Sequence, residues 1–404
     1  MFKKKLIKLK FTMMTKNLLF NKAAVALLCV SMAFTACKKK SDDPAPSSPP
    51  DQVTPLKTTN LSGNQEVPAA TNGGSGMVEA SYNNTSNVLT YKITYSGVVL
   101  DAIHIHSGMA GTNGAVAFTL AGATSSPVQG TVTLSAAQEL ELLAGKLYVN
   151  GHSAAQANGA LRAQLLTSDV VVYQNDLSGL NQVPAVTTTS TGTFYGTFNK
   201  SSKIMDYAIV YAGTAPNSAH IHEGLAGSTG AVAFTLTTPI VGTTTGTTAA
   251  FTAAQQASLE AGGLYVNVHS ASNANGEVRA QLANSDVKVV NNILLSGNNE
   301  VPAVTTTASA TAYVTYNDVS KILSYTIITT NLTSPTSAHI HEGDIGVAGG
   351  VVFTLTTPAT GSTTTTGTIA SVTAAQKVLL DAGHLYFNIH TTANAGGELR
   401  GQVQ

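Results

Sequence analysis

The sequence contains no tryptophan and only two cysteines, Cys29 and Cys37, both near its beginning. Beyond Cys37 there is no thiol, so no disulfide, cysteine nucleophile or thiolate metal site can be built in the remaining chain. Charged residues make up only 10% of the chain and aromatic residues 6%. No apolar run approaches the roughly 20 residues that a membrane-spanning helix requires. A Gly-x-Ser-x-Gly elbow, a P-loop and a dinucleotide fingerprint are all missing, which removes the commonest hydrolase, NTPase and dehydrogenase readings. What is abundant is Gly, Thr, Ala, Val and Ser, the composition of short strands joined by tight turns.

The first 36 residues stand apart. They carry Lys3, Lys4, Lys5, Lys8, Lys10, Lys16 and Lys22 with no acid, followed by an apolar run from Ala23 to Phe34. That order reads as a secretory signal peptide, with Met1, Met13 or Met14 as its start. It ends Ala33-Phe34-Thr35-Ala36-Cys37, which resembles a bacterial lipobox and makes Cys37 the expected site of lipid attachment. Residues 37–55, rich in Lys, Ser, Asp and Pro, offer almost nothing to bury and are expected to form a flexible tether. The expected location is the bacterial cell envelope, with the membrane as the partner of the lipid and a periplasmic or extracellular protein as a further partner. Once the seven leader lysines are removed, 14 basic residues face 21 acidic ones, a net charge of about −7, which argues against nucleic acid.

The rest of the chain repeats with a period near 117 residues, the size of a whole domain rather than a solenoid unit. The copies are expected at 56–168, 169–285 and 286–404. Their openings are Leu61-Ser62-Gly63, Leu177-Ser178-Gly179 and Leu295-Ser296-Gly297, each leading to Val-Pro. Stretches such as Val88 to Tyr95, Lys203 to Tyr211 and Lys321 to Thr329 alternate apolar and polar residues, as half-buried antiparallel strands do. Each copy has one helical signal, a capping box at Ser135, Thr252 or Thr373, closed by Gly145, Gly262 or Gly383. Strands are expected to follow at once from Gly145, Gly263 and His384. Seven or eight strands and one short helix per copy predict an all-β chain of three tandem Greek-key β-sandwiches or barrels, either immunoglobulin-like or superoxide-dismutase-like.

Each copy carries His-Ile-His: His104 and His106, His220 and His222, His339 and His341. Residues two apart on a strand project from the same face, so each pair can share a ligand. A third histidine, His152, His269 or His390, follows Leu-Tyr-(Val/Phe)-Asn-x on a later strand of the same small domain. Three imidazoles suit copper or zinc, and nine such histidines persist although the neighbouring loops diverge. The alternative is that they are structural, bonded to backbone at the sandwich edge. Arg162, Arg279 and Arg400 follow each third histidine and are expected to supply a fixed cation, as an anion site or as support for the histidines. Glu277 and Glu398 are matched by Ala160, and Glu66 and Glu300 by Gln182, so neither carboxylate position can serve a reaction common to all copies. No catalytic residue is assigned. His384, matched by Lys146 and Gly263, reads as a surface residue.

Leu-Ser-Gly-x-x-(Glu/Gln)-Val-Pro, His-Ile-His-x-Gly, Leu-Tyr-x-Asn-x-His and Asn-x-Gly-Glu-x-Arg-x-Gln together resemble the CHRD (chordin) domain family from about residue 56 to the end. The resemblance implies an exported, modular protein, since the family includes the repeats of an extracellular growth-factor antagonist and many bacterial secreted proteins. The same segments are faintly similar to Cu,Zn superoxide dismutase. That similarity implies copper-ligand roles at His220, His222 and His269 and an anion-attracting role at Arg279, with counterparts in the other copies. The sequence departs from the dismutase pattern in lacking a bridging histidine, a zinc-site cluster and a disulfide pair. The functional readings, in order, are a non-enzymatic binding or structural array, a copper- or zinc-binding protein, and a redox enzyme.

Overall fold

The structure is a computed structural model that describes residues 52–120 and 125–404; the leader, Cys37 and most of the expected tether lie outside the described residues. No helix among the described residues is long and apolar enough to cross a membrane.

The second copy shows the plan. Its strands lie side by side in the order Val232–Thr235, Pro216–Glu223, Leu264–Ser270, Val278–Gln281, Val170–Ser178, Thr191–Asn199, Ile204–Ala212, Gly242–Thr247, all antiparallel. Two four-stranded halves are joined by a single residue pair, Ser178 with Arg279. The first copy repeats this join as Ser62 with Arg162. In the third copy the join thins to an isolated bridge between Ser296 and Arg400, and the halves are separate four-stranded sheets. The halves fold face to face as a β-sandwich whose core draws on both, for example Phe194, Phe198 and Ile209 from one and Ile221, Val266 and Val268 from the other. Each copy has such a core of its own.

The strand count reaches the upper end of the expected range, eight per copy, and the first copy adds a ninth. Val53–Pro55 pairs with Asn83, Tyr82 and Ser81. Val53–Pro55 falls within the stretch expected to be tether, which as a whole offers almost nothing apolar to bury. The strand forms regardless, because its backbone pairs at a sheet edge, where the missing N–H of Pro55 is tolerated.

The helices Ala136–Leu143, Ala253–Glu260 and Ala374–Ala382 all begin with complete capping boxes, at Ser135, Thr252 and Thr373. Gly145, Gly262 and Gly383 stop them with φ of 69°, 74° and 73°, a left-handed conformation that costs other residues more than glycine. That stop explains why the next strands start at Leu147, Leu264 and Leu385, one or two residues later than expected.

Alternation of burial reveals how the copies meet. Along Val88–Ser96 of the first copy, Leu89, Tyr91 and Ile93 are buried while Thr90 and Lys92 face outward. In the second copy Tyr207, Ala208 and Ile209 are buried in succession, and in the third Tyr325, Thr326 and Ile327. The outer faces of those strands are covered by the preceding copy. Met109 and Ala110 of the first copy pack with Tyr195, Ala208, Val172 and Val210 of the second, in a small apolar cluster separate from the domain cores. At the next junction Ser228 Oγ lies 3.3 Å from Thr326 Oγ1.

Candidate metal centre

Pairing between the His-Ile-His strand and the Leu-Tyr strand places all three imidazoles on one face. In the first copy His104 is opposite Asn150, His106 is opposite Tyr148 and Ala102 is opposite His152, so His152 stands diagonally beside His104. Ile103 and Ile105, which alternate with the histidines, point into the core with no exposure. The second and third copies repeat the arrangement, His222 opposite Tyr265 and His341 opposite Tyr386.

The three sequence-predicted histidines of each copy come together. One ring nitrogen from each of His104, His106 and His152 lies within 4.8 Å of the others, and the same holds for His220, His222 and His269 and for His339, His341 and His390. Ring orientation is fixed from behind. His106 Nδ1 is 2.9 Å from the Gly114 carbonyl and His152 Nδ1 is 2.9 Å from the Ala157 carbonyl. A carbonyl only accepts, so each Nδ1 carries a proton, and in a neutral ring so held Nε2 is the atom with the free lone pair. Those two Nε2 atoms and His104 Nδ1 are buried with no hydrogen-bond partner. The third copy leaves the corresponding atoms of His339, His341 and His390 equally unpaired. In the second copy His222 Nε2 is unpaired while His220 Nδ1 and His269 Nε2 face each other at 3.1 Å. Burial of the charged form, reinforced by the neighbouring imidazoles, pushes His104, His220 and His339 below the usual histidine range. Burial also lowers His106, His222 and His341, partly offset by their bonds to carbonyls. All six are therefore held toward the neutral form that binds metal.

Of the two roles expected for the arginines, an anion site or support for the histidines, their contacts fit the second. Arg162 is 1% exposed, and its guanidinium donates to the carbonyls of Thr112 and Met109, both at 2.9 Å. Its carbon sits 3.6 Å from the centre of the Tyr148 ring, and His106 stacks on that ring at 5.1 Å. A tyrosine thus separates guanidinium from imidazole, and the arginine braces the loop after the His-Ile-His strand instead of offering a free cation to an anion. Arg279 and Arg400 do the same through Leu225 and Ser228, and through Asp344 and Val347.

Sequence reasoning passed over two residues that complete this support. Tyr148 accepts from the Gly114 amide at 3.1 Å, and Gln164 Nε2 donates to the Gly108 and Gly145 carbonyls at 2.7 Å. Their signal was present, since Tyr148 lies four residues before His152 and Gln164 two after Arg162, both spacings that keep a strand residue on the same face. Glu277 pairs with neighbouring polar side chains, accepting from Ser270, Thr188, Asn273 and Ser190. His384 meets Asp344 at the surface.

Comparison with known proteins agrees with the repeat. The family model of the CHRD domain matches residues 57–165, 173–282 and 292–403. No curated protein and no solved structure, dismutases included, matches the chain. With most of its length covered by three copies of this model, the chain belongs to the CHRD domain family as a tandem array of three such domains.

Proposed function

We propose that this protein is a cell-envelope lipoprotein, lipidated at Cys37, that displays three CHRD domains, each binding one transition-metal ion through three imidazoles. The observation that carries the reading is the convergence in one domain of three buried imidazole nitrogens without partners, His104 Nδ1, His106 Nε2 and His152 Nε2, repeated atom for atom in the third domain. A buried acceptor left unpaired costs about 1–3 kcal/mol, and a bound cation removes that cost at all three at once. Neutral nitrogen donors with no thiolate and no carboxylate suit zinc or copper over calcium or magnesium. Three protein ligands leave a position open, as sites that take a further ligand do.

The role proposed is binding and display, with turnover ranked below it. The arginines that a dismutase-like reading would aim at an anion spend their donors on backbone carbonyls. The charged leader, the lipobox and the Pro- and Ser-rich tether support anchoring at a bacterial membrane, and the negative mature charge supports a protein partner over nucleic acid.

Metal analysis of the purified full chain after loading with zinc or cuprous ion and exhaustive dialysis tests the reading. Three equivalents per chain are expected, falling to two in a His104→Ala, His106→Ala variant; retention well below one equivalent overturns metal binding. Anchoring is tested separately. Radiolabelled fatty acid incorporated by the producing cells is expected on the wild-type chain and not on Cys37→Ser, and an unlabelled wild type overturns it.

A further inference from the structure

The two junctions between domains follow one rule. The loop after each His-Ile-His strand turns at a glycine, Gly111 or Gly227, with φ of 79° or 78°. A tyrosine of the next domain lies flat against it. A Cβ at Gly111 would stand 2.5 Å from the Tyr195 ring, and one at Gly227 would stand 2.2 Å from the Tyr313 ring. Tyr195 and Tyr313 are buried, near enough to Arg162 and Arg279 for their charges to interact. Flanking contacts recur as well. Gln174 donates to the Asn64 carbonyl and Asn292 to the Leu180 carbonyl, while Asn199 and Asn317 reach the helix ends at the Leu143 and Glu260 carbonyls.

The third domain keeps the same loop, with Gly346 at φ of 77°, and no tyrosine of the described residues lies on it. Nothing lies within 4 Å of the position a Gly346 Cβ would take. A groove of about 470 Å³ opens there, lined among others by Ile345, Gly346 and Arg400, the counterparts of Ala110, Gly111 and Arg162, which lie beside Tyr195 at the first junction. Two positions of the loop are more apolar than in the two that are covered, while Asp344 stands in place of Met109 and Leu225 and pairs with His384. Ile345 replaces Ala110 and Ala226, Val347 replaces Thr112 and Ser228, and they are 70% and 54% exposed. A terminal domain that ended the array would be expected to carry polar residues here.

The opposite end of the array is closed to this mode. The first-domain residue equivalent to Tyr195 and Tyr313 is Glu79, fifth in a nine-residue strand in each case. Its cross-strand partner is Lys92 where the others have Ala208 and Thr326. Glu79 and Lys92 form an exposed ion pair at 2.8 Å. A second copy of this chain therefore presents no tyrosine to the groove.

We propose that the Ile345–Val347 face of the third domain is a docking site for a different protein, one that presents a tyrosine from the outer face of a β-sheet as Tyr195 and Tyr313 do. In effect the partner supplies a third receiving sheet, most simply that of another CHRD domain.

The test gives the full chain the receiving face that it lacks. In a Glu79→Tyr, Lys92→Ala variant the first domain of one molecule should dock on the third domain of another. Because that contact is head-to-tail, the average mass in sedimentation should rise by about twofold or more with concentration. Adding Ile345→Ser and Val347→Ser should return the variant to the monomer, while the wild type stays monomeric throughout. All four positions are exposed, and unchanged melting temperatures confirm that folding is intact. A variant that stays monomeric overturns the proposal. A wild type that associates, and loses association with Ile345→Ser and Val347→Ser, overturns it too, because the occupant would then be a second copy of this chain.

Discussion

The guanidinium of Arg279 lies 3.5 Å from the centre of the Tyr265 ring, and the pair joins the histidine face to the loop beyond it. His222 stacks on Tyr265 at 5.0 Å and 8°, and the arginine donates to Ser228 and Leu225 in the loop that reaches the third domain. Arg279→Ala removes the stacking and orphans both carbonyls, so it should destabilise the second domain by about 3 kcal/mol. Arg279→Lys should recover less than half of that, because an ammonium cannot bridge two carbonyls while lying flat on a ring. Urea unfolding of both variants measures the difference.

Glu66 and Glu300 make the stability of the first and third domains fall as pH rises. Burial, only partly countered by Arg162 and Arg400, raises both carboxyls from 4.5 to about 7. A group that holds its proton more tightly when folded contributes fully below its unfolded pKa near 4.5 and loses that contribution as pH climbs through about 7. The second domain avoids the loss, since Gln182 donates to Asn267 Oδ1 at 2.7 Å without ionising. Thermal melts of Glu66→Gln, Glu300→Gln should therefore gain over the wild type at about pH 8 and show little gain at about pH 5. Equal gains at both would refute the ionisation argument.

Glu277 produces the opposite slope in the second domain. Burial alone would raise its pKa, but hydrogen bonds from Ser270, Thr188, Asn273 and Ser190 hold it at about 2. Its contribution is present above the unfolded value near 4.5 and disappears as pH falls toward 2. Glu277→Gln should make the second domain less stable at neutral pH and should remove this part of the acid sensitivity, read by melts between about pH 3 and about pH 7.

Much of this architecture was legible because repetition separates signal from noise. The capping boxes at Ser135, Thr252 and Thr373, the stop glycines and the His-Ile-His pairs are local patterns, and the structure places all of them as read. The convergence of His152 on His104 and His106 was only half legible, because strand spacing fixes which face a residue takes but not which strands become neighbours. For a related reason the sequence leaves open whether Arg162 serves an anion or supports the histidines. Its sequence neighbourhood suggests a cation near the imidazoles, whereas its partners Met109 and Thr112 are some fifty residues distant and become visible only once the loop is folded back. The junctions were the least legible. Ala208 and Thr326 look like outward positions on half-exposed strands, and only the preceding domain makes them interior.

The loop that supports the three imidazoles is also the loop that the next domain covers, so loosening a junction should weaken the proposed site behind it. Gly114, whose carbonyl fixes His106, lies three residues beyond Gly111, which rests on Tyr195. In a chain where His220→Ala and His339→Ala leave only the first site, Tyr195→Ala should weaken zinc binding by about tenfold, the scale of losses from outer-shell changes. The same substitution should leave affinity unchanged in a chain that keeps only His339, His341 and His390, whose loop has no covering tyrosine. Calorimetric titration of the two chains distinguishes junction coupling from a general loss of stability.

Comparing Gly111→Ala with Gly346→Ala isolates the contribution of the junction itself. Both glycines hold φ near 78°, so a side chain at either should cost about 1 kcal/mol in backbone strain. Only at Gly111 would the new methyl also meet the Tyr195 ring, at 2.5 Å, whereas the space beside Gly346 is open. The ring is fixed by the cluster with Ala110 and Ala208 and cannot retreat without opening the contact. Overpacking of this kind adds about 1–3 kcal/mol, so Gly111→Ala should be the more destabilising by that margin in denaturant unfolding. Equal losses at the two positions would mean that the first and second domains are held together by something other than the tyrosine seated on the loop.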